Sequence, residues 1–184
     1  MIFRSKISAI LFFLGTVLPL EGYAQSIIGI SAVWDDNLTE WKVYAESEES
    51  DGTLEIKWPL NNDWTEWEFE IYDLDGDVLM PRNNVFEYWE MRNGSDLVTI
   101  RTQWPGDTRQ WTLRYKDIRL NIATRYGNIA DEWIVDSKEY GYWAMFTEYE
   151  GDPRDWIIED ELNPEIDVIM KMALVHIALV SSIR

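Results

Sequence analysis

Hydrophobic and polar positions recur along this 184-residue chain with a period of about 22 residues. Six tryptophans mark the repeat, and successive members are separated by 26, 22, 22, 22 and 23 residues. They are Trp41, Trp67, Trp89, Trp111, Trp133 and Trp156. A period of this size, kept across six copies, indicates a repeat architecture in which each copy is one supersecondary unit.

Alternation around each tryptophan predicts a β-strand. The residue two places after it is apolar in every copy, and side chains two positions apart lie on the same face of a strand. These partners are Val43, Phe69, Met91, Leu113, Val135 and Ile158. In the first four copies a polar residue lies between the two apolar ones, whereas Ile134 and Ile157 interrupt the alternation late in the chain.

Turn-forming residues stand five positions before each tryptophan: Asp36, Asn62, Asn84, Gly106, Asn128 and Gly151. A second β-rich run precedes each turn, at residues 27–34, 53–58, 78–81, 97–104, 118–126 and 142–149. Asp51-Gly52, Asp75-Gly76 and Asn93-Gly94 predict tight hairpin connections between repeats. Six such units give twelve short strands in up-and-down order.

The aromatic residues flanking the turns suggest cross-strand packing. We expect the aromatic residue before a turn and the tryptophan after it to pair across the ladder, which stabilises by ~0.2–1 kcal/mol per pair in addition to burial. The acids at the turns stay in water. Trp64 and Trp143 lie outside the register of the repeat. They are therefore the tryptophans expected to be exposed.

The segment after the sixth repeat predicts a helix at residues 164–183, with Asn163 as N-cap and Pro164 at the first helical position. Its apolar residues go nearly all the way round, so it must be buried in protein or in lipid. Lys171 and His176 interrupt the apolar run, which argues against a bilayer span. The predicted fold class is mainly β: a 12-stranded antiparallel closed barrel of six hairpin repeats, filled by the C-terminal hydrophobic helix.

Twelve strands followed by an apolar helix resemble the plan of the tubby-like superfamily, which includes tubby C-terminal domains, phospholipid scramblases and LURP-one-related proteins. The stretch from Asp167 to Lys171 is similar to the D-V-x-M-K stretch that opens the central helix of scramblases. The resemblance in plan covers residues 27–183, but matching residues are confined to the helix. It implies lipid binding through a basic patch, or lipid scrambling.

No lipid or calcium site of that family can be matched to residues of this sequence. The basic residues that come near one another are spread over several predicted strands and diluted by acids, so we expect no basic cluster. They are Arg101, Arg109, Arg114, Lys116, Arg119 and Arg125.

Residues 1–24 have the features of an export signal peptide. Arg4 and Lys6 precede a mostly apolar run of 14 residues, and Gly22 and Ala24 suit cleavage before Gln25. The alternative is a retained anchor, but the run is shorter than the ~20 residues of a spanning helix. We therefore expect a periplasmic or extracellular protein whose single domain covers residues 25–184. The chain has no cysteine, so this domain folds without disulfides and has no thiolate metal site.

Charge and side-chain chemistry limit the function further. The net charge is -18, and it becomes -19 without residues 1–24, which disfavours nucleic acid and anionic lipid as partners and makes stable membrane insertion unexpected. His176 is the only histidine, and its apolar neighbours predict a hydrogen-bonded core residue rather than a catalytic base. No catalytic residue, metal site or cofactor is predicted.

The sequence thus favours an exported, non-enzymatic binding or structural module whose ligand is a glycan, a lipid or a protein. Because the barrel is filled, a ligand has to use the outer wall or the turns. The candidate ligand-binding residues are Trp64, Trp143, Asp63, Asp107 and Asp152. One alternative is a carbohydrate-binding module that uses exposed tryptophans and carboxylates, and the other is a lipid-binding or scramblase-like protein.

Overall fold

A computed structural model describes residues 25–61, 63–81, 85–127 and 129–183. The strands are β1 (Ile27–Trp34), β2 (Asn37–Ala45), β3 (Gly52–Trp58), β4 (Asp63–Ile71), β5 (Leu74–Leu79), β6 (Tyr88–Asn93), β7 (Asp96–Trp104), β8 (Asp107–Tyr115), β9 (Ile118–Tyr126), β10 (Ile129–Ser137), β11 (Gly141–Thr147) and β12 (Asp155–Leu162), followed by helix α1 (Val168–Ser182). The predicted signal peptide and the predicted turn residues Asn62, Asn84 and Asn128 lie outside the described residues.

The strands form a closed barrel. Each strand pairs antiparallel with its neighbours in sequence, and β1 closes the barrel against β12, with Ile30 opposite Trp156. Closure leaves no sheet edge with unpaired backbone groups. The predicted class, a mainly β protein with a 12-stranded antiparallel closed barrel, is confirmed.

Alternation along the strands separates an apolar inner face from a charged outer face. On β2, Trp41 and Val43 are fully buried while Lys42 between them is exposed. On β4 the same relation holds for Trp67, Phe69 and the exposed Glu68. Inward apolar residues from all twelve strands join one hydrophobic cluster that also contains the helix.

Helix α1 fills the interior, as the sequence predicted. Every residue from Val168 to Val180 is buried. The His176 ring lies against Trp67 and Trp89, and Ser182 Oγ accepts a hydrogen bond of 2.8 Å from the indole N–H of Trp133. The helix therefore contacts opposite parts of the wall and serves as its core.

The predicted start of the helix was wrong. Asp167, not Asn163, is the N-cap, and its side chain accepts from the Ile169 N–H at 3.2 Å. Asn163 instead holds the turn that leaves β12: its side-chain amide donates to the Glu139 carbonyl at 2.7 Å. The chain needs residues 163–167 to pass from the wall to the barrel axis, so the helix begins four residues later than Pro164.

One buried ion pair ties the helix to the wall. Lys171 Nζ lies 2.8 Å from Asp160 Oδ2 on β12, and their side chains are 1% and 2% exposed. The same ammonium donates to the Gln25 carbonyl at 2.9 Å. Helix, last strand and the segment before β1 therefore meet at one charged point inside the protein.

The predicted tight turn at Asp75-Gly76 was also wrong. Both residues lie within β5, and the turn is formed by Tyr72, whose φ is 55°, and the residue after it. Glycine is required at position 76 for close approach, because a Cβ there would lie 2.0 Å from the Arg92 carbonyl oxygen. A sequence that reads as a turn thus marks a close contact between strands.

The other two predicted connections differ from one another. Gly94 forms the β6–β7 turn with a φ of 53°, as Asn93-Gly94 predicted. Asp51-Gly52 does not form a tight turn. The β2–β3 connection passes through a 3-10 turn at Glu48–Ser50, and Gly52 is already the first residue of β3.

Candidate functional site

Among the residues that the structure describes, five exposed aromatic side chains lie at one end of the barrel. Consecutive strands run in opposite directions, so every turn from an odd strand to the following even strand lies at the same end. These aromatics stand just before or within such turns, and we call them the aromatic rim. They are Trp34, Trp58, Trp104, Tyr126 and Tyr149, with exposed fractions of 55%, 49%, 64%, 55% and 61%.

Irregular strand ends account for the exposure of the three rim tryptophans. Simple alternation would direct Trp34 inward with Ile30 and Ala32, but the pairing of β1 with β2 shifts between Ala32 and Trp34. Equivalent shifts precede Trp58 and Trp104. A bulge adds a residue to one strand and turns the following side chain to another direction. These three tryptophans therefore leave the core at the last position of their strands.

Two of the rim tryptophans are held by carboxylates on the outer wall. The Trp34 indole N–H donates to Glu40 at 2.8 Å, and the Trp58 indole N–H donates to Glu66 at 3.1 Å. These bonds orient each indole, while Trp34 remains 55% and Trp58 49% exposed. An ordered aromatic beside a carboxylate can offer a stacking surface and a hydrogen-bond acceptor to the same ligand.

The six repeat tryptophans form a different, buried set. Each is at most 3% exposed, and each donates its indole N–H to the carbonyl three residues earlier, at 2.7 to 3.1 Å. The bond satisfies the only polar group of the indole and fixes the turn at the rim. The repeat of the sequence is thus a repeated device for anchoring the turn that carries the rim.

The predicted pairing between the aromatic before a turn and the tryptophan after it was wrong. Trp34 lies opposite Asn37, while Trp41 lies opposite Ala32. Trp104 is likewise opposite Asp107. Because the bulge separates the two aromatics, one stays in the core and the other goes to solvent.

The predicted ligand carboxylates serve the turns. Asp63, Asp107 and Asp152 each accept a backbone N–H from the residue two places on, at 2.9, 3.0 and 3.1 Å. Arg109 lies 2.8 Å from Asp107, and Arg154 also pairs with Asp152. These three carboxylates lie at the rim end, and each uses at least one oxygen to shape it.

The pKa values of these carboxyls fall for the same reason. The Thr65 hydroxyl lowers the pKa of Asp63, and the guanidinium of Arg109 lowers that of Asp107. Hydrogen bonds from Arg154 lower the pKa of Asp152 to about 2. All three remain ionised over the physiological range.

The expectation that Trp64 and Trp143 are exposed was wrong. Trp143 is 0% exposed and points into the core from β11. Trp64 is half-buried, and the centre of its ring lies 5.6 Å from that of Trp67 in an edge-to-face arrangement. Sequence reasoning missed the five rim aromatics instead. Their signal was a regular spacing: four of them precede a repeat tryptophan by seven residues, and Trp58 does so by nine.

An acidic row crosses the outer wall from β2 to β5. Glu40, Glu55, Glu68 and Asp77 are directly opposite one another on successive strands. Burial, and then the charges of Glu40 and Glu68, raise the pKa of Glu55. Lys57 relieves the repulsion, with its ammonium 2.9 Å from Glu68 and 2.7 Å from Asp77.

His176 is buried, as predicted, but the hydrogen bonds expected for it are not found. Within the described residues neither ring nitrogen has a hydrogen-bond partner. The ring lies edge-on to Trp67 and Trp89, with distances of 5.6 and 4.9 Å between ring centres. Burial lowers its pKa to about 3. The imidazole is neutral and out of reach of any ligand at the rim.

This histidine should make stability depend on pH. The unfolded chain binds a proton near pH 6.5 while the folded state does not until about pH 3, so stability falls by about 1.4 kcal/mol per unit as the pH drops below 6.5. Urea unfolding at pH 7, 6 and 5 should show this loss relative to His176→Phe, which cannot titrate. Carboxyl effects are common to both proteins, so parallel curves would contradict the assignment.

Two further properties bear on the site. Within the described part of the chain, no group of three or more His, Asp or Glu side chains is placed to hold a metal ion. Helix α1 has 15 residues, and none of the described helices has the length and apolarity to cross a bilayer.

Comparison of the chain with protein-family models, curated proteins and solved structures found no match in any of the three.

Proposed function

We propose that this protein is a non-enzymatic binding module whose ligand is a carbohydrate chain held on the aromatic rim. The carrying observation is the repeated exposure of an aromatic side chain at the same end of five hairpins. Contact of aromatic side chains with water is unfavourable. Several such side chains that the fold holds at one end of the barrel indicate a binding surface.

The chemistry of the rim suits sugars. A flat indole or phenol face matches the apolar C–H face of a pyranose ring, and a neighbouring carboxylate accepts the ring hydroxyls. Glu40 and Glu66 occupy that position beside Trp34 and Trp58. The turns are fixed from inside by the buried tryptophans, so the surface is preorganised and loses little entropy on binding.

The same residues speak against catalysis. The chain has no cysteine, and its single histidine is 0% exposed. Asp63, Asp107 and Asp152, three acids in the turns of the rim end, have lowered pKa values and hold backbone N–H groups. An acid catalyst needs a raised pKa at neutral pH, which these carboxyls lack.

Export and membership of the tubby-like superfamily belong to the same proposal. A closed barrel around an apolar helix supports the family plan, and a glycan-binding role agrees with a leader-like segment at residues 1–24. Nucleic acid is disfavoured as a partner by the net charge of -18.

Removing a rim indole should weaken glycan binding. We expect Trp34→Ala to lower the affinity for a bound polysaccharide about tenfold or more, since a buried tryptophan contact at a binding surface contributes ~2 kcal/mol. The measurement is a glycan array followed by affinity electrophoresis with plant, microbial and host polysaccharides. Trp58→Ala provides a second test at a separate hairpin.

Leu97→Ala is the matched control, because Leu97 is 40% exposed but follows the β6–β7 turn at the opposite end of the barrel. It should bind as the parent does. An array without any bound glycan, or unchanged affinity in both tryptophan variants, refutes the proposal. Flotation with neutral and anionic liposomes tests the lipid alternative, which predicts vesicle association.

A further inference from the structure

Among the described residues, three arginines on the outer wall have no carboxylate within ion-pair distance. Eight other basic side chains lie within 3.7 Å of an acid: Lys42, Lys57, Arg92, Arg109, Lys116, Arg125, Arg154 and Lys171. Among the described residues Arg101, Arg114 and Arg119 have no such ion pair, and Lys138 also has none. In a chain with 34 acids, unpaired cations gathered in one place are unexpected.

Strand register brings the three together. Arg114 on β8 is directly opposite Arg119 on β9, and Thr99 on β7 is opposite Arg114 from the other side. Arg101 lies two residues along β7 from Thr99, with its guanidinium 4.4 Å from the centre of the Tyr88 ring. The three lie on different strands, as the sequence predicted, but the expectation that no basic cluster forms was wrong for them. Like charges directly opposite one another are destabilising, and a bound anion would relieve the repulsion.

The arginines line a cleft that reaches the rim. It has a volume of about 620 Å³, and Trp104 forms part of its lining together with Arg101, Arg114 and Arg119. The cleft is on β7 to β9, whereas the acidic row is on β2 to β5. An anion on this part of the wall thus meets positive charge and an exposed indole at once.

We propose that this cleft binds a sugar acid: a uronic acid residue with its carboxylate between Arg114 and Arg119 and its chain directed toward Trp104. This deepens the proposed function and rests on it. Guanidinium groups bind carboxylates through paired, parallel hydrogen bonds, which makes them selective for this group. The Thr99 side chain is beside Arg114 and can meet a ring hydroxyl.

The net negative charge of the protein favours a ligand that carries only a few, widely spaced carboxylates. A chain of net charge -18 repels a polyanion at long range, but beyond the Debye length of about 8 Å at physiological salt that repulsion is screened. A glycan with isolated carboxylates is attracted by the arginines of the cleft and is only weakly repelled by the net negative charge of the protein.

The test uses two oligosaccharides that differ in one group: a xylotriose carrying one glucuronic acid, and the same molecule with its carboxylate reduced to an alcohol. Calorimetry, with NMR of the Trp104 indole and the arginine Nε–H signals, should show the acidic form binding at least tenfold more tightly. Arg114→Gln should remove most of that preference. It also removes a like-charge contact, so the variant should remain folded.

Lys138→Gln is the matched control, since Lys138 is an exposed cation in the β10–β11 turn at the opposite end. It makes the same change in net charge and should keep the preference. Equal binding of the two oligosaccharides overturns this inference and leaves the proposed function standing. Binding of neither, while a neutral polysaccharide still binds the rim, also overturns the inference alone. Absence of all glycan binding overturns both.

Two further experiments test whether a different ligand occupies the cleft. If sodium acetate displaces the acidic oligosaccharide at equal concentration, the cleft is a general anion site and the sugar acid is refuted. If vesicles containing phosphatidylserine bind the parent and not Arg114→Gln, a membrane surface is the ligand and the inference is refuted.

Discussion

Replacing Lys171 with methionine should lower the free energy of unfolding by about 3–5 kcal/mol, because it leaves a buried carboxylate without its partner. The Asp160 side chain is 2% exposed and its Oδ2 lies 2.8 Å from the ammonium. The Gln25 carbonyl loses its donor in the same substitution. Urea unfolding at pH 7, followed by tryptophan fluorescence, measures the change.

The double variant Lys171→Met/Asp160→Leu distinguishes an uncompensated charge from poor packing. Well-packed apolar replacements of a buried ion pair are often neutral or stabilising, so the double variant should recover most of the loss. Lys42→Met is the exposed control. Lys42 pairs with Asp51 at 3.0 Å but its side chain is 51% exposed, so solvent screens the pair and its loss should change stability little. A loss under 1 kcal/mol in Lys171→Met would contradict the account.

Ala178→Asp should be the most damaging substitution in the helix. Ala178 is 0% exposed, and burial without a partner raises a carboxyl pKa by up to 3–5 units. At neutral pH this costs about 4 kcal/mol, because a carboxyl whose pKa rises further takes up a proton instead. The expected result is little soluble protein, or a cooperative transition at much lower urea concentration. The cause is specific to a helix surrounded by the barrel.

Ala123→Asp is the matched control for that substitution. Ala123 is half-buried on β9 and lies between Gln110 and Ile134 on the neighbouring strands. The same added charge there can keep contact with water, so stability should change by less than ~1 kcal/mol. Similar losses in both variants would show that the helix is not the enclosed core.

The barrel could be predicted because it follows from apolar residues that recur periodically along the chain. Trp111 and Leu113 have one strand face in common, and the same pair recurs in every repeat, so the count of strands and their order followed from spacing. The helix could be predicted for a similar reason, since residues from Ile166 to Val180 are apolar on nearly all sides. Both features depend on many residues that agree with one another.

Local geometry could not be predicted with the same success. Asp75-Gly76 has the composition of a turn, but its glycine serves the approach of the Arg92 carbonyl. Asn163 is a good N-cap by type, yet the distance from wall to axis moves the cap to Asp167. In each case the residue type permits two structures, and contacts far away in sequence choose between them.

The candidate site shows the same division more sharply. Trp104 and Trp111 are both tryptophans near one turn, but a bulge between them leaves the first 64% exposed and the second 0% exposed. Trp143 lies outside the register of the sequence repeat, yet its side chain is in the core. Exposure was therefore decided by a shift in pairing that residue type does not reveal.

The sequence by itself determined the number of hairpins, the apolar inner face and the need for a buried helix, because these depend on periodic hydrophobicity alone. Only the tertiary structure decided which aromatics form the rim and that Arg101, Arg114 and Arg119 lie together. The physical reason is register: side chains on neighbouring strands meet according to hydrogen-bonded pairing across the sheet, and a shift of one residue changes both the face and the neighbour.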